Sequence, residues 1–388
     1  MAKKVLFCAT VDYHFKAFHL PYLNWFKEQG WEVHIAASGN MELPHINGRF
    51  DIPIQRSPFK RRNLEAYNQL KLIIDENQYD IVHCHTPMGG VIARLAARGA
   101  RRNGTKVIYT AHGFHFCKGA PLLNWLVYYP IERMLSHFTD CLITINEEDY
   151  ALAVYHRFKA KRIEHVHGVG VNTDRYKPID EIQKRESREV FGYQSSDFLM
   201  FYAAEFNENK NQQLLIQALA LLKVEAPQAK LLLAGDGPFQ EACRELAVKL
   251  EVEGSVHFLG HRNDIPALLP LCDVALASSL REGLPVNILE AMACGLPVVA
   301  SENRGHSELV KDTVNGFVIR NLDSRQFAAR LVELYKSDEL RKKFGVENIH
   351  RVQRYSLAQV GLELSGIYTQ YFLGDRDEAE DKYSSAYI

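Results

Sequence analysis

Hydrophobic and polar positions alternate along this chain on two length scales. Short runs rich in Val, Ile and Leu, bounded by turn residues, recur as "KVLFCATV", "WEVHIAAS", "YDIVHCHT", "TKVIYTAHG", "TDCLITINE" and "RIEHVHGVG". Their length and flanks predict strands. Between them, residues 63–77, 88–102, 121–138 and 147–158 carry helical periodicity. Such alternation predicts a parallel sheet with helices on both faces. The polar stretch "VNTDRYKPID" (171–180) breaks both periods and is expected to be a linker. The alternation then restarts with strands "FLMFYAAE", "AKLLLAGDG", "SVHFLG", "DVALASS" and "LPVVAS", and helices over 210–225, 238–251, 264–271 and 285–294. From 323 to about 373 the pattern is mostly helical. Its last helix, "SLAQVGLELSGIYTQYFLG", is long enough to cross back to the first domain. The expected architecture is α/β, with two doubly wound parallel-sheet domains at 1–175 and 176–374 and an acidic tail at 375–388.

At 388 residues, 47% apolar and 24% charged, the chain suits two globular domains. No apolar run reaches the ~18–20 residues that span a bilayer. The start "MAKKVLFCATVDYH" resembles a signal peptide only superficially, because Asp12 breaks the run and no small-residue cleavage site follows. Seven cysteines, none in CxxC and most in apolar segments, suggest reduced, buried thiols in a cytoplasmic protein. The net charge of −1 hides an asymmetry: residues 1–175 hold 22 Lys+Arg against 16 Asp+Glu, and twelve of the sixteen histidines. The basic residues cluster at Lys60, Arg61 and Arg62 and at Arg94, Arg98, Arg101 and Arg102. They read either as a face for phosphates and anionic lipid or as ordinary solvated helix surface. Asp375 and Asp377 form a D-x-D in the charged tail with no strand before it, so no metal site is assigned there.

In parallel α/β sheets, ligands bind beyond the carboxyl ends of the strands. The polar residues that follow each strand are therefore the candidates. Gly235 and Gly237, in "AGDGP", would let a ligand approach the backbone, although any tight strand-to-helix turn uses glycine. Lys210 falls near a helix start, as a solvated residue or as a point charge on a diphosphate. His261 and Arg262 follow "SVHFLG", where a base or ribose could be clasped. In "REGLPVNILEAMACG", Gly283, Leu284 and Pro285 sit at a helix N-terminus that would attract phosphate, and Gly295 suits the residue past the helix end. Glu282 lies in the loop before that helix. Glu290 lies inside it among apolar neighbours, where an ionised carboxylate needs a partner. In the first domain His112 follows a strand directly, and Asp12, Tyr13 and His14 follow the first. His83, His85, His115 and Cys117 lack a clean metal-ligand signature. No GxGxxG or G-x-S-x-G stands out.

Glu282 and Glu290, followed by "AMACGLPVVAS" and "SELVKDTVNGFVI", together with "AGDGP" and the lysine of "NKNQQLL", resemble the retaining GT-B glycosyltransferases. The first half, with "TAHGFHFCKGAPLLNWLVYYPIER", is similar to the capsule and exopolysaccharide branch of glycosyltransferase family 4 and its EpsD-type enzymes. The resemblance covers essentially the whole chain. It implies a GT-B fold, with two Rossmann-like domains facing a cleft. The first would bind acceptor and the second a nucleotide-sugar donor, most simply a UDP-hexose or UDP-N-acetylhexosamine. Carried over, Glu290 accepts from the ribose hydroxyls and Glu282 faces the donor sugar. The segment Gly283, Leu284, Pro285 and Val286 and the ammonium of Lys210 hold the diphosphate. Backbone around His261 and Arg262 pairs with the base, and His112 contacts the transferred sugar. Asp12, Tyr13 and His14 stand on the acceptor side. The implied partner is a polyprenyl-diphosphate-linked saccharide at the inner face of the plasma membrane, with peripheral contact to anionic lipid. No cofactor, metal or nucleic acid is implied. Two departures stand out. Ala204-Glu205 replaces the usual Gly-Arg before the lysine, so Lys210, Arg262 or Lys118 would have to carry that charge. Asp12-Tyr13-His14 replaces the usual glycine pair. The other readings are a UDP-sugar epimerase of the same fold and a non-catalytic nucleotide-sugar-binding partner of another transferase.

Overall fold

The structure is a computed structural model that describes residues 2–371. The first sheet contains β1 (Lys4–Val11), β2 (Glu32–Ser38), β3 (Gly48–Asp51), β4 (Ile81–His85), β5 (Lys106–Ala111), β6 (Cys141–Thr144) and β7 (Arg162–His165), ordered β3-β2-β1-β4-β5-β6-β7. The second contains β8 (Phe198–Ala203), β9 (Ala229–Ala234), β10 (Val256–Gly260), β11 (Val274–Ala277), β12 (Val298–Ser301) and β13 (Gly316–Ile319), ordered β10-β9-β8-β11-β12-β13. Every pairing is parallel. Two compact units result: residues 2–170 joined by residues 358–371, and Val171–Leu357.

The central strands read as unbroken apolar runs because helices cover both faces; Val5–Ala9 of β1 and all of β4 are buried. The edge strand β3 alternates half-buried and exposed residues in "GRFD". It and β13, each four residues long, are not among the predicted strands. The predicted helix over 88–102 is two helices, Pro87–Ala96 and Arg98–Arg102, parted at Ala97. All seven cysteines are buried. The last helix, Leu357–Thr369, lies in the first unit from Ala358. Its Tyr368 hydroxyl meets His83 Nδ1 at 3.1 Å, and Glu363 pairs with His167 Nδ1 at 2.7 Å.

The basic cluster of the first half is partly consumed by this fold. Arg94 is 1% exposed, bonds Glu132 at 2.8 Å and lies over the Tyr109 ring. Arg101 forks onto both oxygens of Asp140. By contrast Lys60, Arg61 and Arg62 are exposed beside Phe59, which is 89% exposed. The acidic tail with Asp375 and Asp377 lies outside the described residues.

In each sheet the strand order reverses once, between β1 and β4 and between β8 and β11. Connections leave these neighbouring strands in opposite directions, which opens a crevice at their carboxyl ends.

Candidate functional site

At the carboxyl ends of β8 and β11, two loops are tied together. Leu280 N–H donates to the Asn209 carbonyl at 2.7 Å. The Asn209 side chain takes the Arg281 N–H at 3.2 Å and gives to its carbonyl at 3.0 Å. One residue on, the Lys210 carbonyl accepts Ser278 Oγ at 2.8 Å and the Tyr202 hydroxyl, itself 2.8 Å from Ser279 Oγ. These bonds bring Lys210 Nζ to 2.5 Å from Glu282 Oε1. The two residues read from sequence as separate ligands of phosphate and sugar thus share a charge-assisted bond.

The helix Val286–Ala293 follows, with Pro285 as its N-cap rather than its first residue. Proline has no N–H, so it contributes none to an anion site. The N–H groups of Gly283, Leu284, Val286 and Asn287 donate to no group among the described residues. Gly295 closes the helix with φ +71°. Behind Glu282, a Cβ at Gly305 would come within 2.7 Å of the Gly283 carbonyl, so only glycine lets these loops approach. Arg304 Nε donates to the Glu282 carbonyl at 3.1 Å. Nothing in the sequence reading picked out this cation. The rule of inspecting residues after each strand would have found it, since it follows β12 closely.

Glu290 is partly buried, and its carboxyl is pushed up to about 7, chiefly by loss of water. A hydrogen bond from Tyr176 and the charge of Arg175 offset part of that cost. The partner the sequence seemed to lack therefore comes from the chain itself, out of the segment expected to be a linker. That segment packs within the second unit, with Tyr176 buried and the Val171 N–H on the Tyr355 carbonyl.

Other candidates change meaning. A Cβ added at Gly235 would collide with the Ala204 carbonyl, and one at Gly237 with the Phe206 carbonyl. These glycines admit neighbouring backbone. The Arg262 guanidinium lies across Asp264, with Nε 2.7 Å from Oδ1. His261 is exposed just past β10. Glu205 accepts from Asn207 Nδ2 at 3.0 Å.

In the first unit, Asp12 is buried and structural. Its carboxylate accepts the Met41 N–H at 2.7 Å and fills the space beside Gly39. Tyr13 is exposed. His14 joins an unforeseen group: one ring nitrogen from each of His14, His19, His85 and His112 lies within 4.8 Å of the others. His19 escapes a helical pattern because it stands at the break between helices Tyr13–Phe18 and Leu20–Glu28. Burial lowers the His14 ring to about 4. Burial and mutual charge hold His19, His85 and His112 well below the usual range, so all four are neutral at pH 7.

Residues 183–351 match the family "Glycosyl transferases group 1", and residues 4–146 match "Glycosyl transferase 4-like". The chain is 53% identical to EpsD of Bacillus subtilis (strain 168), described as a glycosyltransferase, over 97% of this chain and 99% of that one. It is 28% identical, over 70% of each chain, to an Escherichia coli protein named UDP-Gal:alpha-D-GlcNAc-diphosphoundecaprenol alpha-1,3-galactosyltransferase. Among solved structures, Anabaena HepE with UDP and glucose superposes with TM-score 0.78 at 21% identity, covering 95% of this chain and all of that one. The two-sheet architecture is that of the GT-B fold.

Proposed function

We propose, on the premise that this chain belongs to the glycosyltransferase family of which EpsD is a member, that it is a retaining sugar transferase. It moves a hexose or N-acetylhexosamine from UDP to a polyprenyl-diphosphate-linked saccharide in exopolysaccharide or capsule assembly. The single observation that carries this reading is the Lys210–Glu282 contact beside the unfilled amides of the Val286–Ala293 helix.

The chemistry follows from charge. As the bond from the sugar to the diphosphate breaks, negative charge grows on the leaving oxygen. An ammonium and helix-end N–H groups stabilise it without a metal on the diphosphate. In the free protein Glu282 occupies Lys210. An incoming diphosphate competes for that ammonium and releases the carboxylate to a sugar hydroxyl. Glu290 accepts from the ribose. Retention proceeds by same-face attack, the leaving phosphate oxygen taking the acceptor proton. His112 turns Nε2 toward His85 and so has Nδ1 for a sugar hydroxyl. UDP is supported by the names of the E. coli relative and the HepE complex, and the lipid-linked acceptor by the former.

Peripheral attachment at the inner face of the plasma membrane is supported by two exposed features. Phe59 stands with Lys60, Arg61 and Arg62, and the helix Leu122–Leu135 exposes Leu122, Leu123 and Leu126. No helix among the described residues is long and apolar enough to cross a membrane. The deciding experiment incubates the protein with UDP-, GDP- and dTDP-sugars, follows thermal shift, then offers a polyprenyl-diphosphate sugar and determines the product's anomeric configuration by NMR. Inversion, or interconversion of the UDP-sugar without acceptor, overturns the reading; the second outcome would mark an epimerase.

A further inference from the structure

We propose that His14, His19, His85 and His112 form a site for one zinc-class divalent ion in the first unit. The group sits where β1, β4 and β5 end, and it draws on four separate points of the chain. Their ligand nitrogens lie within 4.8 Å of one another. Two separations are already shorter: His14 Nε2 to His19 Nε2 is 3.1 Å, and His85 Nδ1 to His112 Nε2 is 3.3 Å. A tetrahedral ion with bonds of about 2.0–2.1 Å sets its ligands about 3.3–3.4 Å apart. Two opposite edges of that tetrahedron are therefore formed, and small ring rotations close the rest.

The His85 ring is firmly held, stacked on Phe7 with planes 4° apart and with its centroid 4.1 Å from that of His83. His83 is not part of the ligand set, because its nitrogens are committed to Thr110 and Tyr368. His19 and His85 form the buried floor and the half-buried His14 and His112 the rim, so an ion has a route in.

The donor set selects the ion. Four imidazoles and no carboxylate favour zinc and its neighbours over the oxygen-seeking magnesium and manganese that accompany nucleoside diphosphates. The ion would hold the His112 ring through Nε2 and make Nδ1–H a stronger donor. It has no part in neutralising the diphosphate, which lies with Lys210 in the second unit.

The test uses the full chain, stripped with chelator and titrated with Zn²⁺ against a chromophoric competitor, then with Co²⁺ followed by visible absorption. One equivalent of zinc and a tetrahedral cobalt spectrum are expected. His14→Gln and His112→Gln should each weaken binding by at least ~100-fold, on the scale of losing one ligand of a zinc site. His137→Gln, at an exposed histidine of the same unit, should leave it unchanged. A wild-type chain that takes up no zinc at ~10 µM, a dissociation constant already weak for a structural site, overturns the proposal. So does binding that survives the His14→Gln/His112→Gln double substitution, or a cobalt spectrum without tetrahedral bands. The wild-type measurements decide the matter even if a variant fails to fold.

Discussion

Beyond β1, β4 and β5 the first sheet presents four neutral imidazoles; beyond β8, β11 and β12 the second presents a lysine, two glutamates and unfilled amides. Both edges are switch points of the same topology. What differs is a handful of residues at strand ends, and with them the chemistry. Charge counting points the wrong way here. The first half has the excess of basic residues, yet Arg94 and Arg101 are spent on Glu132 and Asp140 inside the fold. The acidic second half places Lys210 at the candidate anion site. A surplus of cations along the sequence therefore does not locate the anion.

The sharpest way to break this contrast is Lys210→Ala. Transfer should fall by ~10²–10³-fold, the scale for removing one donor from a developing anion. The fold should persist, because a partly exposed ion pair contributes only ~0–1 kcal/mol. Full transfer activity in the variant would remove Lys210 from the mechanism. The opposite behaviour is expected at the first unit's cation. Glu132→Ala strands the buried Arg94 and should cost about 3–5 kcal/mol in urea unfolding. An unchanged midpoint would show that this pair does not hold the unit together.

Glu290 gives a smaller and pH-dependent signal. Its carboxyl keeps its proton up to about 7 in the folded chain and releases it near 4.5 when exposed. The folded state thus holds more protons between those values. The stability this contributes is fully present below 4.5 and is lost as pH rises through about 7. Glu290→Gln should flatten that slope. If ribose hydroxyls donate to Glu290, UDP binding favours the ionised form and releases up to about half a proton at pH 7. Calorimetry in buffers of different ionisation enthalpy reads that number directly, and zero release would count against the ribose contact. Smallest is the membrane term. Lys60→Gln should weaken flotation with anionic vesicles by about fivefold at low salt, since each basic residue near such a surface is worth about 1 kcal/mol. Equal flotation of both proteins would take this loop out of the membrane contact.

The apolar runs of β1, β4, β8 and β11 were legible because central parallel strands are buried on both faces. β3 was not, since a short edge strand needs no such run. The rule that ligands lie beyond strand ends was enough to single out Lys210, Glu282, His14 and His112 from the chain alone. Sequence spacing likewise set Glu290 inside an apolar helix and Gly295 just past its end. Whether residues meet, though, depends on distances that no spacing encodes. Lys210 and Glu282 are 72 positions apart and touch only because Asn209, Tyr202 and Ser278 tie their loops together. Gly235 and Gly237 looked like a ligand's approach and instead admit Ala204 and Phe206. Asp12 was expected on the acceptor side and is a buried acceptor for the chain at Met41. Tyr176, in an apparent linker, is the partner of Glu290. Local pattern carries period and burial, which act over a few residues. Partnership between side chains arises from the packing of distant segments, and only the tertiary structure decides it.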